Sequence, residues 1–323
     1  MGRSENQLDK RIECRMCGGE SRYLTSYDTY VLESYWRDVA KVDSRVHLYR
    51  CSQYGSFIVE GLPSSDALIA QYNQHGDEDF RAVYYTGNKD ASAKAIRLVD
   101  SIRGLLADGD RVLDVGGGNG AFAREVARAG YESWMTEVST GGFELLREAG
   151  VHPITEIGPE LEGTFDVLTL WDVYEHVWPH KEFFEPLYRA LKPGGKLIFE
   201  TPIPSKLRQI FLVLSYVAPS PYRERLLDEI VSFTHVQLCS PDEIRATLPA
   251  HGFEVESIED ASELSYKGAE YVGRHVKPRF LANWIGALFD TPIFRRVVLG
   301  NNKAFVVARR VEGAAERSEP GNR

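Results

Sequence analysis

The sequence predicts an α/β protein whose main body is a parallel β-sheet covered by helices. Three observations predict it. Between residues 110 and 202, short apolar runs alternate with stretches of helical spacing. One of those runs, Val112–Val115, ends in glycines that open a helix. Hydrophobic residues make up 43% and charged residues 26% of 323 positions, enough apolar surface to bury a core of that kind.

Along the chain, residues 1–65 are rich in Cys, Gly and Tyr and carry short alternating runs such as Val46-His-Leu-Tyr-Arg50, which read as strands of a small N-terminal module. The main domain is expected over 66–310. Its first part, 66–107, reads as helical, with Ala95, Ile96, Val99, Ile102 and Leu106 forming one apolar stripe. Strands are expected at Arg111–Val115, Ser133–Glu137, Phe165–Leu170 and Lys196–Thr201. Helices fit between them at Ala121–Ala129, Gly142–Ala149 and Lys181–Leu191.

Two insertions interrupt the remainder of the domain, at 203–234 and 259–302, and are expected to form a lid and substrate region. Between them, Ser240-Pro241-Asp242-Glu243 carries a capping serine, proline at the first helical position and glutamate three residues on, the signature of a helix start. Phe253–Ile258 and Ala304–Arg309 read as strands. Within the second insertion, Phe280, Leu281, Trp284, Ile285 and Leu288 mark one side of a helix, and the polar tail 311–323 is expected to be disordered.

Composition narrows the function classes. Lysine and arginine total 38 against 47 acidic residues, giving a net charge of −9, so no nucleic-acid partner is expected. Four cysteines in so long a chain are too few for a disulfide scaffold. The polar N-terminus lacks the apolar core of a secretion signal, and no run approaches the ~18 apolar residues of a spanning helix. A cytoplasmic protein is expected.

The segment Val112-Leu-Asp-Val-Gly-Gly-Gly-Asn-Gly-Ala-Phe-Ala123 carries the strongest signal. Glycines let the backbone turn sharply and approach a ligand without Cβ contact, and the helix start offers free N–H groups. Gly116, Gly118 and Ala121 also satisfy a dinucleotide pattern, with Glu137 near the place of its ribose acid, so this segment alone leaves a nicotinamide-dependent oxidoreductase open. Two further blocks lie downstream: Phe165-Asp-Val-Leu-Thr-Leu-Trp-Asp-Val-Tyr-Glu-His-Val177 and Leu191-Lys-Pro-Gly-Gly-Lys-Leu-Ile-Phe-Glu-Thr-Pro202.

In this order and spacing, the three blocks resemble the class I S-adenosylmethionine-dependent methyltransferases over about residues 80–260 plus the closing strand. The resemblance implies a doubly wound, seven-stranded, mostly parallel, Rossmann-like sheet whose last strand runs antiparallel. It further implies that Gly116, Gly118 and Gly120 approach the methionine part of S-adenosylmethionine, with Asp114 near its amino group and Glu137 on the ribose hydroxyls. Trp171 and Asp172 would border the methionine and the transferring methyl, and Tyr84 or Tyr85 would close over the cofactor. A methyltransferase-fold binding protein without catalysis is the rival from another class; the intact glycines and Asp172–His176 cluster argue against it.

Asp172, Glu175 and His176 place three ionisable groups on one turn beyond a strand's carboxyl end, where ligands bind in open α/β sheets. Methyl transfer from a sulfonium is helped by removing a proton from the acceptor, and histidine titrates near working pH, so His176 is the candidate base. A similar acid-x-x-Glu-His cluster in ubiquinone-biosynthesis O-methyltransferases and small-RNA 2′-O-methyltransferases binds a divalent metal. By that resemblance Asp172, Glu175 and His176, with distant His235, form a Mg²⁺-type site, while a structural role for the Glu-His pair stays open.

Cys14-Arg-Met-Cys17-Gly-Gly begins like a zinc knuckle, and Arg50-Cys51-Ser-Gln-Tyr54-Gly55 resembles its second half, similar to the zinc-ribbon-like leader of some methyltransferases. Cys14, Cys17 and Cys51 supply three of four zinc ligands, and Tyr54 stands where the fourth belongs. His47 as a substitute, a metal-free ribbon and a redox cysteine pair all remain open. Cys239 is expected to be a small core residue.

The expected acceptor is a small molecule, most readily a hydroxyl of a sugar, natural product or quinone. In the first insertion, Leu207, Ile210, Phe211, Leu214 and Val217 form a helical apolar face. That face suits a lid packed on the protein, a homodimer contact or peripheral membrane contact.

Overall fold

A computed structural model describes residues 11–28, 45–62, 89–178, 180–220, 222–231, 235–261, 278–291, 294 and 302–312. The chain divides into two compact units. One comprises 1–62, 201–244 and 258–305; the other comprises 63–200, 245–257 and 306–323. Both segments expected as insertions, 203–234 and 259–302, thus fall within the first unit, together with the N-terminal region.

In the first unit, β1 (Arg11–Glu13), β2 (Glu20–Asp28), β3 (Arg45–Cys51) and β4 (Phe57–Glu60) form an antiparallel sheet in that order. A two-residue strand, β10 (Gln237–Leu238), adds to β4 from far along the sequence. The strand period of two sorts β3 between the faces. Val46 and Leu48 join Tyr27, Phe57 and Val59 in a core with Leu212, Leu227, Ile230 and Val231, while Tyr49 and Cys51 pack with Cys14 and Ile58 in another cluster.

Helix α5 (Lys206–Ser215) and helix α6 (Tyr222–Asp228) supply part of the first of those cores. The apolar face expected on α5 divides, with Phe211 packed against this core and other members turned to solvent. Leu212 and Ser215 are buried, whereas Ile210, Leu214 and, just beyond the helix, Val217 are exposed. A helix apolar on most sides offers more than one face, and the partners Leu227 and Ile230 select the one that carries Leu212.

Two turns of the same build flank the second cluster. Cys14 N–H donates to the Gly19 carbonyl at 2.6 Å and Gly18 N–H to the Cys14 carbonyl at 2.9 Å. Likewise Cys51 N–H donates to the Ser56 carbonyl at 2.8 Å and Gly55 N–H to the Cys51 carbonyl at 3.0 Å. Each turn needs a left-handed residue in the same place, and glycine occupies it, with φ 70° at Gly18 and 73° at Gly55.

The seven-stranded sheet has the order β11 (Phe253–Asp260), β12 (Lys303–Arg310), β9 (Leu191–Pro202), β8 (Phe165–Trp171), β5 (Arg111–Val115), β6 (Glu132–Thr136) and β7 (Val151–Ile154). The pairs from β9 to β7 are all parallel. At its two ends β12 is bonded to β11 in the opposite sense, Val311 N–H to the Gly252 carbonyl at 2.9 Å and Ala261 N–H to the Lys303 carbonyl at 3.1 Å. This is the doubly wound, mostly parallel, mixed sheet that the sequence predicts.

Helices α1 (Lys89–Ile102), α2 (Ala121–Arg128), α3 (Phe143–Glu148) and α4 (His180–Ala190) flank it. In α1, Ala95, Leu98, Val99 and Ile102 are buried, and Ile96 is turned to solvent, correcting its place in the expected stripe. Strand β7 is not among the expected strands because Pro153 interrupts its pattern. The strand tolerates proline since, among the described residues, it lies at the sheet edge with a partner on one side only.

Candidate active site

The chain leaves β5 toward β6 and β7 on one side and later returns to β8 on the other, so the crevice beyond β5 and β8 is a topological switch point. The glycine turn follows β5 there. Gly116, Gly118 and Gly120 have φ of 71°, 55° and 68°, a conformation that disfavours any side chain. Their reasons differ. A Cβ at Gly120 would lie 2.3 Å from Leu146 Cδ2, so packing demands glycine. A Cβ at Gly118 would meet nothing within 4 Å, so the space above that residue is open.

Beneath the turn lies Asp114, 2% exposed, whose Oδ1 accepts from the Thr169 hydroxyl at 2.9 Å. Burial pushes its carboxyl up to about 7; the Thr169 bond and the Lys94 charge oppose that shift, and the Glu137 charge adds to it.

Glu137, just past β6, faces the same loop. Its Oε2 accepts the Gly118 N–H at 2.9 Å, and its Oε1 accepts those of Val138 and Ser139 at 2.8 and 3.2 Å. Burial raises its carboxyl although these three donors favour the charged form. Three of the carboxylate's about four lone-pair positions are thus taken, and the one that remains is on Oε2.

Beyond β8 the chain turns at Asp172, whose φ of 56° is the only positive value outside glycine among the described residues. Asp is one of the few residues that tolerate this conformation. The turn leads into a single 3₁₀ turn, Tyr174–His176, anchored by fully buried Tyr174 stacked on Phe199 with ring centres 4.9 Å apart. The two loops touch, because a Cβ at Gly116 would lie 3.1 Å from Val173 Cγ2. Trp171 packs edge-on against Phe122 at 5.0 Å.

Glu175 is 1% exposed and His176 Nε2 lies 3.9 Å from its Oε1, an electrostatic contact longer than a hydrogen bond. Lys94, from α1, is a site residue missing from the candidates that the sequence offers. Its Nζ donates to Asp172 Oδ2 at 2.8 Å. Burial depresses the Lys94 ammonium, but the Asp172 carboxylate outweighs it and the net shift is upward. No motif marks Lys94, which the fold carries to β8 across 78 residues. Tyr84 and Tyr85 lie outside the described residues.

Residues 88–258, just over half the chain, match the methyltransferase-domain family. The chain belongs to the class I S-adenosylmethionine-dependent methyltransferases. A solved structure of the same fold, the SpnF cyclase, superposes with a TM-score of 0.51 at 20% identity, covering 78% of this chain and 98% of that one. Among curated methyltransferases, the mitochondrial ubiquinone biosynthesis O-methyltransferase of Schizosaccharomyces pombe is 30% identical over 104 residues, which are 29% of this chain. This chain spans only 38% of that relative's length. The ubiquinone biosynthesis O-methyltransferase of Acinetobacter baylyi is 25% identical over 237 residues, 70% of this chain and 89% of the relative.

Within this methyltransferase, then, the glycine turn, Asp114, Glu137, Trp171 and Asp172 come together at the switch point, joined by Lys94. The Glu175–His176 pair stands on the next turn.

Proposed function

We propose that this methyltransferase transfers the methyl group of S-adenosylmethionine to a hydroxyl of a small acceptor, such as a sugar, natural product or quinone. The observation that carries this reading is Gly118, a left-handed glycine with open space where its side chain would be, beside the Glu137 carboxylate. Such a turn admits a ligand backbone closely, and an acid one strand over suits a vicinal diol. Bound S-adenosylmethionine supplies an electrophilic sulfonium methyl.

The chain's own residues then orient and deprotonate. Glu137 accepts from the ribose hydroxyls, and Gly118 admits the methionine part in a turn that Gly116 and Gly120 shape. Asp114, ionised above about pH 7, favours the ammonium end, while Trp171 and Asp172 border the reacting centre. His176, half-exposed, takes the acceptor proton as displacement proceeds, a role suited to imidazole. Glu175, buried beside it, favours the imidazolium that forms. The Lys94 ion pair on Asp172 supports this base reading over one in which Asp172 ligates a metal. The O-methyltransferase relatives support a hydroxyl acceptor.

Calorimetric titration with S-adenosylhomocysteine tests the reading, alongside turnover on a panel of hydroxyl acceptors. Binding that Gly118→Arg abolishes is expected. Undetectable binding, or a Gly118→Arg enzyme that binds as wild type, would overturn it. Binding without turnover on any acceptor class would favour a protein that has lost catalysis.

A further inference from the structure

The second cysteine turn of the first unit is incomplete as a metal knuckle, and the fold completes it. Neither residue near it in sequence fills the gap. His47 Nδ1 is bonded to the Ser26 hydroxyl at 2.7 Å, and the Tyr54 hydroxyl accepts from Gln53 Nε2 at 3.1 Å. Glu243, fully buried on α7 (Pro241–Thr247), arrives instead. Its Oε1 lies 3.0 Å from Cys14 Sγ across 229 residues of sequence. The ligand atoms of Cys14, Cys17, Cys51 and Glu243 all lie within 4.8 Å of one another.

The start of α7 explains how Glu243 comes to be there. A capping box would turn the glutamate back onto Ser240 N–H. Here only half the box forms, with Glu243 N–H donating to Ser240 Oγ at 3.2 Å. Ser240 N–H is satisfied by Ser56 Oγ at 2.8 Å, on the rim of the second cysteine turn. The glutamate is therefore released from capping and directed toward the sulfurs.

We propose that Cys14, Cys17, Cys51 and Glu243 hold one zinc ion through three thiolates and one carboxylate oxygen. Tetrahedral zinc with bonds of about 2.3 Å to sulfur separates two ligand sulfurs by about 3.8 Å. Cys17 and Cys51 Sγ stand 3.7 Å apart. Backbone donors already face the sulfurs: Met16 and Cys17 N–H toward Cys14, Gly19 toward Cys17, and Tyr54 toward Cys51 at 3.4 Å. Four anionic ligands on a dication leave a net charge of −2, which these N–H groups disperse. Three soft sulfurs and one oxygen suit zinc better than the hard ions, which prefer oxygen alone.

The test uses the full chain, purified reduced from zinc-supplemented cells and analysed by mass spectrometry for metal. About one zinc per chain is expected. Exchange for cobalt(II) should give tetrahedral d–d bands with sulfur-to-metal charge transfer. Glu243→Ala should weaken zinc binding tenfold or more, about the scale of losing a supporting interaction or greater. Glu243→Cys should keep the metal and raise charge-transfer intensity by about a third, as thiolates go from three to four. This gain does not depend on whether Glu243→Ala folds. Less than a tenth of an equivalent of zinc with no cobalt bands would overturn the site, as would a Cys17–Cys51 disulfide in its place. A Glu243→Cys cobalt spectrum identical to wild type would remove Glu243 from it.

Discussion

Replacing Asp114 with asparagine should make the fold less sensitive to alkali. The carboxyl is 2% exposed and burial lifts it to about 7 from an ordinary value of 3.8, so the folded chain holds this proton between about pH 4 and 7 while the unfolded chain releases it. Stability from this group is therefore complete below about pH 4 and is lost as pH rises toward 7. At about 1.4 kcal/mol per pKa unit, the whole shift is worth roughly 4 kcal/mol, of which about 3 remains to be lost above pH 5. Asparagine keeps an acceptor for the Thr169 hydroxyl and carries no charge. The stability of Asp114→Asn relative to wild type should thus rise by about 3 kcal/mol between pH 5 and 8, a change in the Tm difference of roughly 6–12 °C. Scanning calorimetry of both proteins at the two pH values measures it. Glu137 and Lys94 also face this carboxyl, so Glu137→Gln serves as the control background. A Tm difference that stays constant from pH 5 to 8 would refute the reasoning.

The same geometry sets other outcomes. Glu137→Ala should weaken S-adenosylhomocysteine binding by about 1–3 kcal/mol in calorimetric titration, because a buried charge-assisted contact is lost. His176→Ala should lower kcat by about 10²–10⁴ while cofactor affinity stays nearly constant; a folded variant of full activity would dismiss the base role. Gly120→Ala combines a φ of 68° with a Cβ 2.3 Å from buried Leu146, and should cost about 1–3 kcal/mol in denaturant unfolding. Leu48→Ala, in the core beneath α5 and α6, should cost about 2–5 kcal/mol by the same measurement.

Strand β5 is legible in the sequence because Val112, Leu113 and Val115 form an apolar run stopped by glycines, a local signal of the kind that fixes a buried parallel strand. The glycine turn and Glu137 are legible for the same reason, their spacing being set by one β-α-β unit. Strand β7 is hidden by Pro153, whose effect depends on being at a sheet edge, a property of the assembled sheet. Lys94 carries no local mark at all, and meets Asp172 only through tertiary folding. Glu243 reads locally as half of a capping box, and local pattern has no means of showing that Ser56 takes the other half.

The interleaving of the two units bears on how this chain can be made and cut. Synthesis proceeds from the N-terminus, and units generally fold as they emerge. Residues 1–62 cannot complete their sheet until β10 leaves the ribosome, after the whole intervening 63–200 segment has been made. The nascent antiparallel strands must therefore wait with an open edge at β4, a site for wrong pairing. For the same reason, a deletion at residue 62 does not trim away a self-contained leader. It would strip Leu212, Leu227, Ile230 and Leu238 of the strands that cover them, leaving an apolar surface on the remainder.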